Sequence, residues 1–416
     1  MSSWLPTAII GAGPVGMAAA AQLVHRNKSF IILEKGNDVG HHLSKWENVK
    51  MFSPWEYNID KDAKDLLTEY NWIAPNSFEL PTGGEFIQKY LRPLSNLPII
   101  KPFLHLNSTV TAIHRFGIDK GKTAGRESFP FEIEYIQHGK VKRLFAGAII
   151  DATGTWGNPN PAGSSGDFAL GEKQLYEHFH YNIPNFSHKN IEIEFGNKSV
   201  AVVGSGHSAI HSILELQKLK TLYPNTSILW ILRRNYDKKL LGGGLNDALP
   251  ERGSLGLNVH NLVQSGQVTV FNPFRIISFE KKNFKIEIKG FNELQNHTIT
   301  NVDKIIVNTG SRPDFSFLRE LRYFTDPALE CVPELTTLID PNVHSCGTVR
   351  AHGELELRQP EPNFYIVGAK SYGRAPTFLM ATGYEQVRSI VAALDNDWEA
   401  ARRVELYLPE TGVCGV

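Results

Sequence analysis

An α/β fold made of two Rossmann-like, three-layer nucleotide-binding units, one inserted in the other, is what the 416-residue sequence predicts. Three observations carry that prediction. The glycine-rich turn Gly11-Ala12-Gly13-Pro14-Val15-Gly16 follows an apolar run and opens a stretch of small helix-forming residues. A second turn, Gly204-Ser205-Gly206-His207-Ser208-Ala209, repeats the arrangement. Each is answered downstream by a matching apolar strand and small-residue turn, Phe145 to Gly154 and Lys304 to Gly310. Strand, glycine turn and helix in that order form a phosphate-binding unit, and the doubling implies two bound dinucleotides.

In the first unit, Thr7 to Ile10 has the continuous apolar character of a buried parallel strand, and Met17 to Val24 reads as the following helix. Gly11 allows the tight turn, Gly13 lets backbone approach a pyrophosphate, and Gly16 brings helix close to strand. The next strand, Ser29 to Leu33, ends at Glu34, followed by Lys35. A carboxylate there accepts hydrogen bonds from ribose hydroxyls and repels a 2′-phosphate, which suits FAD.

In the second unit, Ser199 to Val203 is the strand and Ile210 to Leu219 the helix, with Ala209 in place of the third glycine. The strand Ser227 to Leu232 ends on Arg233 and Arg234 instead of an acid. Guanidinium groups suit a 2′-phosphate, so this site is expected to take NADPH.

Composition narrows the partners. Lys plus Arg and Asp plus Glu are 43 each, so the formal charge is zero and no basic face for nucleic acid is expected. No run of eighteen apolar residues occurs, and no membrane partner is expected. Ala8 to Val24 is apolar but interrupted by glycines, and reads as a dinucleotide turn rather than a signal peptide. Three cysteines, Cys331, Cys346 and Cys414, make no disulfide framework, and a cytoplasmic location is expected. His207 and His211 have helical spacing but no completing acid or cysteine, so no metal site is expected.

On these motifs the chain resembles the two-dinucleotide flavoproteins, within them the flavin-containing monooxygenase-like branch. The element ending Ala152-Thr153-Gly154 resembles the close of the flavin domain, and Thr309-Gly310 its twin in the NADPH domain. The resemblance implies that Gly368 lies near the flavin, and that a helix beginning near Pro376 and Thr377 lies under its ring. It also implies that the strand His105 to Val110 edges the adenine, and that Gly40 with Trp46 is similar to a Gly-Gly-x-Trp region. Ala369 and Lys370 replace the aspartate that many members carry after the glycine. The segments Tyr181-Asn182-Ile183-Pro184, His344-Ser345-Cys346-Gly347 and Leu408 to Cys414 resemble bacterial flavoproteins related to arsenic-resistance flavoproteins.

The activity implied by this resemblance is NADPH-fed, oxygen-dependent monooxygenation of a small molecule through a C4a-(hydro)peroxyflavin. The Phe-x-Gly-x-x-x-His fingerprint of that branch is not intact around Glu177 to Pro184. Disulfide reductases of the superfamily carry closely spaced cysteine pairs, and none occurs here. Two alternatives stay open: a thiol or metalloid reductase or oxidase using Cys346 and Cys414, and a non-enzymatic redox sensor. Met51 to Tyr57 is aromatic enough to line a ring or a core, and Gly242-Gly243-Gly244 could form a lid. The domains are expected at 1–155 with 320–416 for FAD and 156–319 for NADPH. Hinges are expected near Pro159, Pro161 and Arg312-Pro313-Asp314; the small-molecule substrate and a homodimer are left open.

Overall fold

Thr7–Ile10 is buried at all four positions, which a strand achieves only inside a sheet covered on both faces. The computed structural model describes residues 5–237, 250–293, 295–340, 349–376 and 378–406, and places that run at the centre of a parallel sheet. In chain order, β1 (Thr7–Ile10), β2 (Phe30–Leu33) and β3 (Leu104–His105) come first. An antiparallel meander, β4 (Ser108–Arg115), β5 (Phe131–Gln137) and β6 (Lys140–Ala146), leads into β7 (Ala148–Asp151). The pattern then repeats: β8 (Phe179–Tyr181), β9 (Ser199–Val203), β10 (Ser227–Ile231) and β11 (Thr269–Phe271) precede a second meander. That meander is β12 (Arg275–Lys282), β13 (Lys285–Asn292) and β14 (Gln295–Val302), followed by β15 (Lys304–Val307) and finally β16 (Phe364–Ile366).

The parallel sheets have the orders β16-β7-β1-β2-β3 and β11-β10-β9-β15-β8. Contacts divide the chain into two units: described residues up to Gly157 and from Arg312 onward, and Asn158–Ser311. In the second unit, neighbouring residues of one strand enter different cores. Val200 and Val202 pack with Ile210, Ile213 and Leu216 of the helix His207–Leu222. Ala201 and Val203 pack with Phe279, Ile286 and Ile288 of the meander. The period of two along a strand thus produces helix, sheet and meander as three layers. In the first unit, β1, β7 and β16 share one core with Met17 of the helix Pro14–His25, Val387 of Met380–Leu394, and Ile113 and Phe131 of the meander.

Several elements differ from the sequence expectation. Phe145 to Gly154 is two strands, because β6 pairs antiparallel with β5 and the chain turns at Gly147 to pair parallel with β1. His105 to Val110 is likewise broken at Asn107, whose left-handed φ of 52° separates β3 from the meander strand carrying Val110. The helix expected near Pro376 starts at Met380, with Leu379 extended at its N-cap. Both phosphate-turn helices start earlier than periodicity suggested, at Pro14 and His207; proline at a first helical position loses no hydrogen bond. The first unit resumes at Arg312, within the expected hinge Arg312-Pro313-Asp314 and ahead of the expected boundary at 320. The physical cause is visible in the bonds of that stretch: the Asp314 carbonyl accepts from Lys370 (2.6 Å) and the Arg319 carbonyl from Lys120 (3.1 Å). Among the described residues, no helix is long and apolar enough to cross a membrane.

Candidate functional site

Parallel register brings Ile10 opposite both Leu33 and Asp151, and Ile366 opposite Asp151. The carboxyl ends of β1, β2, β7 and β16 therefore form one edge, where open α/β sheets hold ligands. The first glycine turn leaves that edge. Gly11 has φ of +101°, donates to the Leu33 carbonyl (2.8 Å), and has no room for a side chain: a Cβ would lie 2.8 Å from the Ala152 carbonyl oxygen. A Cβ on Gly16 would overlap the Gly11 carbonyl oxygen. Gly13 is different. It is the extended N-cap of Pro14–His25, and a Cβ there would meet nothing within 4 Å. The helix start has no side-chain cap, so its N–H groups face that open space, the arrangement that attracts phosphate.

Glu34 is 6% exposed, and its two oxygens accept from the Ala12 and Gly36 amides, both at 2.7 Å. Each carboxylate oxygen keeps a further lone-pair site for a ligand hydroxyl. Ala12 and Val15 are buried behind the turn and Pro14 is half-buried. Lys35 is exposed; its Nζ and His42 Nε2 converge beside Gly157. Burial and the Lys35 charge push the His42 imidazole down to about 4, so the ring is neutral near pH 7. Trp46 packs 6.1 Å from Trp156, and Val110 lies half-buried in β4.

The opposite wall of the turn is made by two segments. After β7, Thr153 folds back to Asp151 (Oγ1 to Oδ1, 2.7 Å), and Gly154 takes φ of +65°. After β16, Gly368 takes φ of +67°; a Cβ there would be 3.3 Å from Val15. Its amide donates to Gln386 Oε1 (2.7 Å), whose Nε2 contacts His352 Nε2 (2.9 Å) and Ser371 Oγ (3.0 Å). Lys370, read in the sequence as a departure from the usual aspartate, is fully buried and ion-paired with Asp151 (2.6 Å). No sequence signal marked this pair, since a lone lysine ordinarily reads as solvated charge.

The second turn repeats the first. Gly204 has φ of +130°, and a Cβ would overlap the Asn308 carbonyl oxygen. Gly206 is the extended, uncapped start of His207–Leu222, with nothing within 4 Å of a Cβ position. Ala209 is fully buried, whereas Ser205 is exposed and His207 and Ser208 are half-buried at the helix start. The indole of Trp230 donates to the Gly204 carbonyl (2.8 Å) and steadies the turn. Arg233 and Arg234 are exposed just beyond β10, and Arg233 Nη1 donates to the Ser164 carbonyl (3.2 Å). Thr309 Oγ1 bonds the Asn160 and Pro161 carbonyls (2.9 and 3.0 Å), and Gly310 takes φ of +87°. Asn308, missed in the sequence reading, is 5% exposed; its Oδ1 accepts from Ser212, and its Nδ2 has no partner among the described residues.

Cys346, Cys414, Thr377 and Gly242-Gly243-Gly244 lie outside the described residues. Cys331 is fully buried, its sulfur 3.4 Å from Thr336 Oγ1, and burial raises its thiol pKa. Among the described residues no three His, Cys, Asp or Glu side chains gather as a metal site.

Residues 8–338 match the family described as pyridine nucleotide-disulphide oxidoreductase. The chain belongs to that family. Its members are oxidoreductases that use a pyridine nucleotide, a dinucleotide cofactor. Both turns fit such groups, because Gly13 and Gly206 leave open space in front of uncapped helix starts. The chain is similar to bacillithiol disulfide reductase Bdr (YpdA) from Bacillus cereus: TM-score 0.67, 18% identity, 94% of this chain and 99% of that one. It is also similar to the Kutzneria ornithine N-hydroxylase KtzI: TM-score 0.61, 14% identity, again 94% and 99%. Over 131 residues it is 31% identical to a probable indole-3-pyruvate monooxygenase, YUCCA3, of Arabidopsis thaliana. That match spans 31% of this chain and 28% of the relative's length.

Proposed function

We propose that the chain is an NADPH-consuming, FAD-dependent monooxygenase of a small molecule, with molecular oxygen as co-substrate. The observation that carries this reading is the absence of a cysteine pair where a dithiol reductase needs one. The three cysteines stand at 331, 346 and 414, and none lies in the turns after Glu34 or Gly154. Cys331 is sealed in the core. The stretch shared with a relative named as a monooxygenase supports the same reading.

In this proposal Glu34 receives the adenosine ribose of FAD, and the Gly11–Gly16 turn with the Pro14 helix start receives its pyrophosphate. Ala152, Thr153, Gly154 and Gly368 wall that site, with Lys35, Trp46, Val110 and Pro376 at its margins. Gly204 to Ser208 receives the NADPH pyrophosphate, Arg233 and Arg234 its 2′-phosphate, and Thr309 and Gly310 close the turn. When bound, FAD supplies the two-electron chemistry; the chain binds, orients and excludes water. One oxygen atom of O₂ passes to the substrate and the other leaves as water, with NADPH as the electron source.

The test is oxidation of the FAD-loaded, NADPH-reduced protein by isotopically labelled oxygen in the presence of amines, sulfides, ketones and organoarsenicals. Labelled product supports monooxygenation. Hydrogen peroxide alone with every candidate would reject it in favour of an oxidase. NADPH-driven disulfide or metalloid reduction, lost in Cys346→Ser or Cys414→Ser, would instead establish the thiol reading.

A further inference from the structure

Lys370 is 0% exposed and has three N–H donors, all of them used. They go to Asp151 Oδ2 (2.6 Å), Thr153 Oγ1 (3.1 Å) and the Asp314 carbonyl (2.6 Å). The ring of Phe317 lies 4.5 Å from the ammonium and adds cation–π attraction. A lysine so saturated has no donor left for a ligand. Its bonds instead join separate pieces of chain: the turn after β7, the turn after β16, to which Lys370 itself belongs, and the segment re-entering the first unit.

The two turns it joins both press on the phosphate loop. The Ala152 carbonyl borders Gly11, and Gly368 abuts Val15. A buried charge pair is costly to desolvate, and apolar residues of similar volume often serve stability as well or better. Stability is therefore a weak reason for this pair, whereas a fixed distance between two turns is a strong one. We propose that Lys370, with Asp151, is a positioning residue that sets the spacing of the Ala152–Gly154 and Gly368 walls around the first glycine turn. It acts on flavin binding without touching the flavin. This inference rests on the reading that the Gly11 turn holds FAD.

The full chain is stripped of FAD and titrated with it, and NADP(H) binding is measured on the same samples. Two variants are compared with wild type. The double variant Lys370→Met with Asp151→Asn removes both charges and strands neither. Thr153→Val removes the hydroxyl's bonds to Lys370 and Asp151 and leaves the ion pair in place. The double variant should weaken FAD binding about tenfold or more, and Thr153→Val severalfold, with a shifted flavin absorption envelope and unchanged NADP(H) affinity. Loss of thermal stability with FAD affinity unchanged, in either folded variant, would overturn the proposal and leave the pair merely structural. Should the double variant not fold, Thr153→Val alone decides by the same criterion. A wild-type chain that takes up no FAD would refute the functional reading instead.

Discussion

At the scale of single residues, the two kinds of glycine in the first turn make different demands. Gly16 is required by the protein itself, since any Cβ would strike the Gly11 carbonyl. Gly13 is not: its φ is −79° and the space before it is open. In the proposed function, a side chain there would intrude where the FAD pyrophosphate approaches. Gly13→Ala should therefore leave the melting temperature of the FAD-free chain unchanged or slightly higher while weakening FAD binding about tenfold. Gly16→Ala should lower both. Calorimetry of the FAD-free variants and FAD titration check the pair, and a Gly13→Ala protein with wild-type FAD affinity would contradict the placement of the phosphates.

At the scale of elements, the helix Lys61–Glu69 starts on a buried carboxylate. Asp60 accepts the Ala63 amide (2.9 Å) as N-cap, yet it is 4% exposed, and burial raises its pKa to about 7 against that hydrogen bond. A folded-state value above the ordinary 3.8 means that this group's contribution is full below 3.8 and is lost as pH rises through 7. Asparagine caps equally well and cannot ionise. Asp60→Asn should flatten the pH dependence and be the more stable protein at about pH 8, whereas Asp60→Ala should cost about 1 kcal/mol at acidic pH. Denaturant midpoints across that range test the sign; parallel curves for wild type and Asp60→Asn would refute it.

At the scale of the molecule, each unit closes on itself through contacts distant in sequence. In the first, Glu361 sits between Arg115 and Arg126, at 2.8 Å from each, with exposures of 0%, 2% and 4%. Burial alone would raise the Glu361 pKa, but hydrogen bonds from Arg126 and Arg115 hold it below the ordinary value. Arg115 belongs to the meander, and Glu361 to the segment just before β16, so the triad joins the two parts of an interrupted unit. Glu361→Gln leaves two buried guanidinium groups without their counter-charge and should cost about 3–5 kcal/mol. Hydrogen exchange should show the loss in β4–β7 and β16 while β12–β14 keep their protection. An even loss across the chain would show that the units do not unfold separately.

The sheets, the phosphate turns and their order were legible in the residues, because short-range chemistry dictates them. Gly11 and Gly204 need positive φ, Gly16 has no room for a Cβ, and Val200 to Val203 alternates between two cores. That Glu34 follows β2 directly and that Arg233 and Arg234 lie just past β10 was equally legible, since apolar runs mark where strands end. The break at Asn107 and the late start of the helix at Met380 were not. Nor was the burial of Lys370 against Asp151, 219 residues away in sequence. A charge becomes a core residue only when partners from other segments surround it, and no local pattern encodes that meeting; folding alone decides it.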